Sequence, residues 1–588
     1  MQSGWDAIVS EWRRRLAESG HRLLVVDCYS GVDAKYIQSL LSRTLRPEWT
    51  VDTTDLLKSL AQIEALVSPY MGDDPVFGRL TDRRLSDFFD ADKLAAARAR
   101  LQGGDGLQLV CGPGAALLSD RRAMVVYADM ARWPIQLRFR SGQAGNLGTP
   151  IEQGSAAEKY KRAFFVDWRV LDQHKMSVFD DAEYFLDTTD PAQPVAVRGP
   201  LMRQALLNLT QRPFRVVPYF DPAPWGGRWM QRHFHLDEQS PNYGWGFDCV
   251  PEENSLLLQF GAVTTEIPAI NLVLRHPLQL LGESVHGQFG AEFPIRFDML
   301  DTIGGGNLSL QVHPLRAYIR DHFGVSYTQD ESYYILQANP DAAVYLGVVD
   351  HVDADQFSAD LHRAQSLNIA PPVEAYVNRW PARKHDHFLI PAGTCHCSGA
   401  GNLVLEISAT PYIFTFKLWD WGRLGLDGHP RPIHLERGLA NIQWQYGTQW
   451  VEHNLINHIT PLERGKWWRE EQTGLHASQF IETRRHWFTG PVVHRSTQSV
   501  NVLNLVEGSA VKVESPDGCF DPLVIHYAET FIVPAAAGDY VITPLDGTSE
   551  SPLATIKAFV RGQNADLPHD TPRGLKAAAS REPLRTLR

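Results

Sequence analysis

Residues 304–314 read GGGNLSLQVHP, and eighteen residues after His313 the chain reads ESYYIL at 331–336. In an extended strand, side chains two apart share a face. Gln311 and His313 therefore point the same way, and Val312 points away. Glu331 opens the next strand. A third stretch, HFLIPAGTCHCSGAGNLVLEI at 387–407, runs strand, Pro-Ala-Gly-Thr turn, strand. Such a hairpin brings His396 over the same sheet face. One amide oxygen, two imidazoles and one carboxylate form a mixed N/O donor set, suited to zinc and also to manganese, cobalt or iron. Thiolates lie outside the set, because Cys395 and Cys397 face opposite to His396 in a strand and read as buried inert thiols. The pairs His233/His235 and His385/His387 read as structural or surface groups.

Working outward, the flanking chain has the texture of an antiparallel β-sandwich or barrel. Short apolar runs at 256–260, 333–336, 343–349, 388–391 and 403–407 are spaced by Gly, Pro and Asp. A helical stretch around 355–380 interrupts them. Residues 498–560 repeat the β texture. The first ~200 residues, one to two units on a length prior, alternate buried runs with helical patterns. Strands are expected at 22–27, 108–112, 124–128 and 163–167, and a helix at 34–44. That alternation predicts an α/β domain with a mostly parallel sheet. The expected division is 1–205 (α/β), 206–490 (β with a helical insertion), 491–562 (a second β domain) and 563–588 (a solvated tail).

The chain has 588 residues, 44% hydrophobic and 21% charged, with a formal net charge of −12. These values suit a globular chain and argue against general binding to nucleic acid or anionic membranes. The six cysteines are mostly far apart and read as reduced thiols. The N-terminus, MQSGWDAIVSEWRRR, lacks an apolar h-region, and the apolar runs are too short to span a bilayer. The expected compartment is the cytoplasm; oligomeric state is left open.

The motifs resemble those of type I mannose-6-phosphate isomerases. GGGNLSLQVHP is similar to that family's metal motif, ESYYIL to its Glu-x-x-Tyr-Ile-Leu strand, and the 387–407 segment to its IPAGTxHxxGxG segment. KLWDWGRLGLDGHPRPIHLERGL at 417–439 resembles the family's YDWGR segment, WGGRWM at 225–230 its entry signature, and FIVPAAAGDYVI at 531–542 its last cupin strand. The resemblance implies cupin (jelly-roll) barrels and a bound Zn2+, or another divalent metal, held by Gln311, His313, Glu331 and His396. It also implies a sugar-phosphate substrate and interconversion of mannose 6-phosphate and fructose 6-phosphate through an enediol. Moving a carbonyl between C1 and C2 needs a proton carrier and stabilisation of negative charge. Glu406 is a candidate base or metal-shell carboxylate, or else an outward strand residue. Arg423 is a candidate for the substrate's anionic groups, or else a structural ion pair. Two positions depart from the family pattern. Gln329 stands where the family has a phosphate-binding Lys, followed by Asp330. Lys417 stands where it has a catalytic Arg, keeping the charge without the planar fork.

HRLLVVDCYSGVDAKYIQSLL at 21–41 has the strand–turn–helix order of a P-loop, but Cys28 and Asp33 replace its glycines, Ala34 its Lys and Lys35 its Ser/Thr. AFFVDWRVLDQHK at 163–175 resembles a segment of the uridine kinase-like P-loop family. The expectation is a kinase-like domain with a degraded nucleotide site, serving docking or regulation. Arg132, Arg169, His174 and Lys175 read as solvated surface. Two alternatives stand beside the isomerase: a non-catalytic sugar- or metabolite-binding regulator, and a bifunctional kinase–isomerase.

Overall fold

Leu23–Cys28 is buried along its whole length because it is the central strand of a parallel sheet, covered on both faces. Leu23 and Val25 point into one apolar core, whereas Leu24, Val26 and Cys28 point into another. The second core is closed by Ile8, Trp12 and Leu16 of the helix Trp5–Ser19 and by Ile37 and Leu41 of the helix Ala34–Leu45. Across this sheet the order is Gln2–Ser3, Val195–Arg198, Tyr184–Asp187, Ala123–Asp129, Leu23–Cys28, Gln108–Gly112, Trp49–Asp52. The last five are mutually parallel; Val195–Arg198 is antiparallel to Tyr184–Asp187. The architecture comes from a computed structural model that describes residues 1–562, apart from 368, 410, 411, 413, 475, 477 and 497. The tail expected at 563–588 lies outside the described residues.

One predicted strand is helix. Residues 163–167 form a wide π turn between the α-helices Ala156–Arg162 and Trp168–Val178. Ser155 begins this run with a capping box: its hydroxyl accepts from Glu158 N–H, and Glu158 reaches back to its backbone. A short apolar run such as AFFV satisfies a buried strand and a buried helix equally, and here the cap decides.

The prediction of solvated surface for Arg132, His174 and Lys175 is also overturned. Arg132 is 2% exposed, His174 8% and Lys175 0%. Tertiary packing carries them to the C-terminal edge of the parallel sheet, the usual ligand crevice of such a fold, where acidic partners await them. His174 Nε2 lies 2.7 Å from Asp27 Oδ2, Arg132 Nη2 donates to Asp172 at 2.6 Å, and Lys175 Nζ donates to Asp129 at 2.9 Å. Arg169 is half-buried, its guanidinium over the Phe164 ring at 4.6 Å.

The middle of the chain forms two antiparallel sheets packed face to face. One runs His387–Ile390, Glu331–Ala338, Asn402–Ser408, Arg296–Asp301, Trp245–Cys249, Tyr219–Asp221. The other runs Val377–Pro381, Ala343–Val348, His396–Ser398, Leu310–Val312, Phe416–Trp419. The helix Ala354–Leu367 is inserted between two strands of the second sheet. A further six-stranded and four-stranded pair, from Thr460–Arg464 to Leu553–Val560, closes around Phe488, Leu503, Val511, Phe531 and Ile542. Among the described residues no helix is long and apolar enough to cross a membrane.

Candidate metal centre

Gln311 lies opposite His396 on one neighbouring strand and opposite Lys417 on the other. Side chains paired across a sheet share its face, so His396, Gln311 and Lys417 form a row inside the sandwich. His313 is two residues on from Gln311, on the same face. Gly393, at φ +86°, makes the turn that sets His396 in place. Its N–H donates to His313 O at 3.0 Å, and a Cβ there would lie 2.9 Å from Asn441 O. The facing sheet supplies Glu331, whose Oε2 lies 3.0 Å from His313 Nε2 and whose Oε1 lies 3.0 Å from His396 Nε2. All three side chains are fully buried.

The tautomers follow from the backbone. His313 Nδ1 lies 2.8 Å from Phe414 O, and His396 Nδ1 lies 2.8 Å from Thr394 O. A carbonyl only accepts, so each Nδ1 donates and each Nε2 is left with a lone pair when the ring is neutral. Both lone pairs then face carboxylate oxygens, which is repulsive unless a proton or a cation lies between them. His313 Nε2 is buried without a hydrogen bond. Gln311 Nε2 is 3.3 Å from His396 Nε2, and a half-turn of the amide, whose two ends are interchangeable in assignment, brings Oε1 there instead. Three ligand atoms within 4.8 Å of one another, plus this oxygen, fit a borderline divalent ion.

The Gln329 amide is committed. Its Nε2 donates to Glu331 Oε2 at 2.8 Å and its Oε1 accepts from Phe414 N–H at 2.8 Å. Burial, with the nearby Arg431 charge, lowers the Lys417 ammonium to about 8. Arg423 donates through Nη2 to Asp420 Oδ1 at 2.7 Å, and Arg431 Nη1 donates to Asp420 Oδ2 at 2.9 Å. Glu406 lies opposite Tyr333 and Asp298, two residues along from the Ser408–Glu331 pair, so it faces the same interior. Burial, followed by the Glu331 and Asp298 charges, raises its carboxyl well above the usual carboxylate range. Arg296 pairs with Asp298. Cys395 and Cys397 are buried free thiols.

Sequence reasoning missed Gln329 as a support of Glu331, and Arg431, whose signal was the Arg of the HPRPIH segment, eight residues after Arg423. It also missed the carbonyls of Phe414 and Thr394, which no side-chain pattern can announce.

Comparison with known proteins adds two independent findings. The model of a family described as a domain of unknown function (DUF8485) matches residues 4–211. Part of the chain is similar to mannose-6-phosphate isomerases. That of Streptococcus mutans is 25% identical over 217 residues, 37% of this chain, and the match spans 63% of that relative's length. ManA of Bacillus subtilis is 24% identical over 239 residues, 40% of this chain and 69% of the relative. The crystal structure of a mannose 6-phosphate isomerase from Bacillus subtilis aligns with 59% of this chain and 99% of its own, at 19% identity and a TM-score of 0.48.

Proposed function

We propose that this chain is a metal-dependent aldose–ketose isomerase of sugar phosphates, with mannose 6-phosphate and fructose 6-phosphate as the leading pair. The observation that carries this reading is the convergence of Gln311, His313, Glu331 and His396 on one point, with two imidazole lone pairs aimed at one carboxylate. The similarity to mannose-6-phosphate isomerases supports the substrate class. A divalent ion held there, zinc first among the candidates, would polarise the substrate's carbonyl and hydroxyl oxygens. The protein's own groups supply the rest. Lys417, beside Gln311, is largely protonated at pH 7 and places a positive charge where negative charge develops. Glu406, whose carboxyl is raised by burial, is the proton carrier on the facing sheet: as the carboxylate it takes the proton from one carbon, and as the acid it returns it to the next. Arg423 and Arg431, sharing Asp420, form the cationic rim for the phosphate. In a coupled assay the metal-loaded chain converts mannose 6-phosphate to fructose 6-phosphate, and chelation abolishes the rate. A loaded chain that turns over no hexose or pentose phosphate would falsify the proposal.

A second reading, a metal-holding regulator that binds a sugar without turning it over, draws on Gln329. That amide is engaged by Glu331 and Phe414, at the position where the resemblance places a phosphate-binding Lys. Ligand binding without turnover is its signature.

The N-terminal domain is read as a kinase-like fold that has lost its nucleotide. Asp33 accepts from Tyr36 N–H at the start of the helix Ala34–Leu45, so a carboxylate occupies the end that a phosphate would use. Asn271, from the middle of the chain, fills the crevice by bonding Lys175 and Asp129. Titration of the full chain with ATP and magnesium is expected to give no heat and no thermal shift. Saturable micromolar binding would revive the bifunctional reading.

A further inference from the structure

We propose that the N-terminal domain sets the geometry of the metal centre through Phe77, so that the centre is complete only with that domain docked. The inference rests on the metal-holding part of the proposed function and not on isomerisation.

Phe414 orients two ligands at once. Its carbonyl accepts from His313 Nδ1, and its N–H holds Gln329, which in turn holds Glu331. Yet Phe414 belongs to no strand; the nearest begins at Phe416. With no ladder of its own, this stretch of backbone is held by those two hydrogen bonds and by the packing of its side chain. Phe77 supplies a wall for that ring. It stacks on Phe414 with centroids 5.5 Å apart and planes at 12°, and meets Phe416 edge-on at 5.3 Å. Phe323 of the central sandwich flanks the Phe414 ring at 5.3 Å, and Phe165 of the N-terminal domain lies 6.4 Å from it.

Phe77 is itself anchored. Asp74 Oδ1 accepts from the N–H groups of Val76 and Phe77 at 2.8 and 2.9 Å, a tight turn that aims the ring inward. Asp74 Oδ2 accepts from Arg437 Nε at 3.0 Å across the domain boundary. Lys161 Nζ donates to Met71 O and Asp74 O at 2.6 and 2.5 Å, fixing the loop to its own domain. Phe77 is 2% exposed. The ring of Phe77 thus joins the N-terminal domain to the residue that sets the His313 tautomer, while the Asp74–Arg437 clamp and the Tyr412 hydroxyl, which donates to Val76 O at 2.9 Å, hold its loop against the central sandwich. Groups that support metal ligands typically alter affinity about 10- to 100-fold when removed. Phe77 acts one step further out, so the lower end applies.

The test uses the full chain and reads metal affinity, by competition with a chromogenic chelator, together with the visible spectrum of the cobalt-loaded form. Phe77→Ala is expected to weaken cobalt and zinc about 10-fold and to shift the cobalt bands. Phe77→Leu, which keeps apolar bulk, restores at least half of the lost affinity. Trp133→Ala is the control. It removes another interdomain ring contact, the 4.3 Å stack on Tyr219, and leaves affinity within twofold. Wild-type affinity in Phe77→Ala, or an equal loss in Trp133→Ala, overturns the inference. If Phe77→Ala does not fold, Arg437→Gln breaks the Asp74 clamp from the other side: a severalfold loss of affinity supports the inference, and unchanged affinity overturns it. A chain that binds metal normally but isomerises nothing sinks the proposed function and leaves this inference standing.

Discussion

Glu331→Gln abolishes stoichiometric metal binding while leaving the chain folded. The carboxylate lies between His313 and His396, each Nε2 at 3.0 Å, with no exposed surface on any of the three. Glutamine keeps the volume and removes the charge. Its NH2 can donate to an imidazole lone pair that the carboxylate opposed, and this hydrogen bond of about 1 kcal/mol offsets part of the lost Glu331–His313 pairing in the metal-free sandwich. The ion loses its one anionic ligand in a site where supporting groups alone are worth roughly 10- to 100-fold, so a loss beyond about 100-fold is expected. Elemental analysis after gel filtration, paired with thermal melts with and without zinc, reads both halves. Retention of one equivalent of metal would place the ion elsewhere. Cys397→Ser, altering a thiol on the other face of the His396 strand, should bind as the unaltered chain does.

Lys175→Met should lower the stability of the N-terminal domain by about 3–5 kcal/mol, the usual cost of removing one partner of a buried ion pair. Lys175 is fully buried, donates to Asp129 and Asn271, stands 3.9 Å from Asp172 and lies over the Tyr29 ring at 3.9 Å. Methionine fills the stem's volume but strands the Asp129 carboxylate in a dry crevice. Asn271 and the Met130 N–H still bond Asp129, at 2.8 and 3.0 Å, and hold the loss within that range. For a domain of this size the corresponding midpoint shift is roughly 10 °C, visible by calorimetry in the first transition. Adding Asp129→Asn should recover part of the loss, because the stranded charge is gone. A shift below about 2 °C, or no recovery in the double variant, would mean that the pair carries little of the domain's stability.

The two sites differ in how far they could be read in advance. Gln311 and His313 were legible because strand periodicity puts both on one face, and the hairpin turn placed His396 above them. The α/β order of the first two hundred residues was legible because a strand buried on both faces reads as an unbroken run such as LLVV. AFFVD at 163–167 was not, since four apolar residues suit either period and the deciding cap lay outside the run. Arg132, His174 and Lys175 were misread because their partners lie 40, 147 and 46 residues away. A charged side chain looks solvated until the acid that neutralises it is found.

By itself, then, the sequence determined the donor types of the candidate metal centre, their sharing of strand faces and the alternation of strand and helix that builds the first domain. These are local properties, governed by residue chemistry and by the two- and 3.6-residue periods. Tertiary structure alone decided which carbonyls fix the two histidine tautomers, that Gln329 supports Glu331 instead of standing free, and that a phenylalanine of the first domain braces the backbone beside His313. The Phe414 carbonyl lies 101 residues from His313, and Phe77 lies far from both in the chain. Thr394 and Gln329 stand only two residues from the groups they hold, but backbone carbonyls, amide rotamers and packed rings carry no signature in the order of residues.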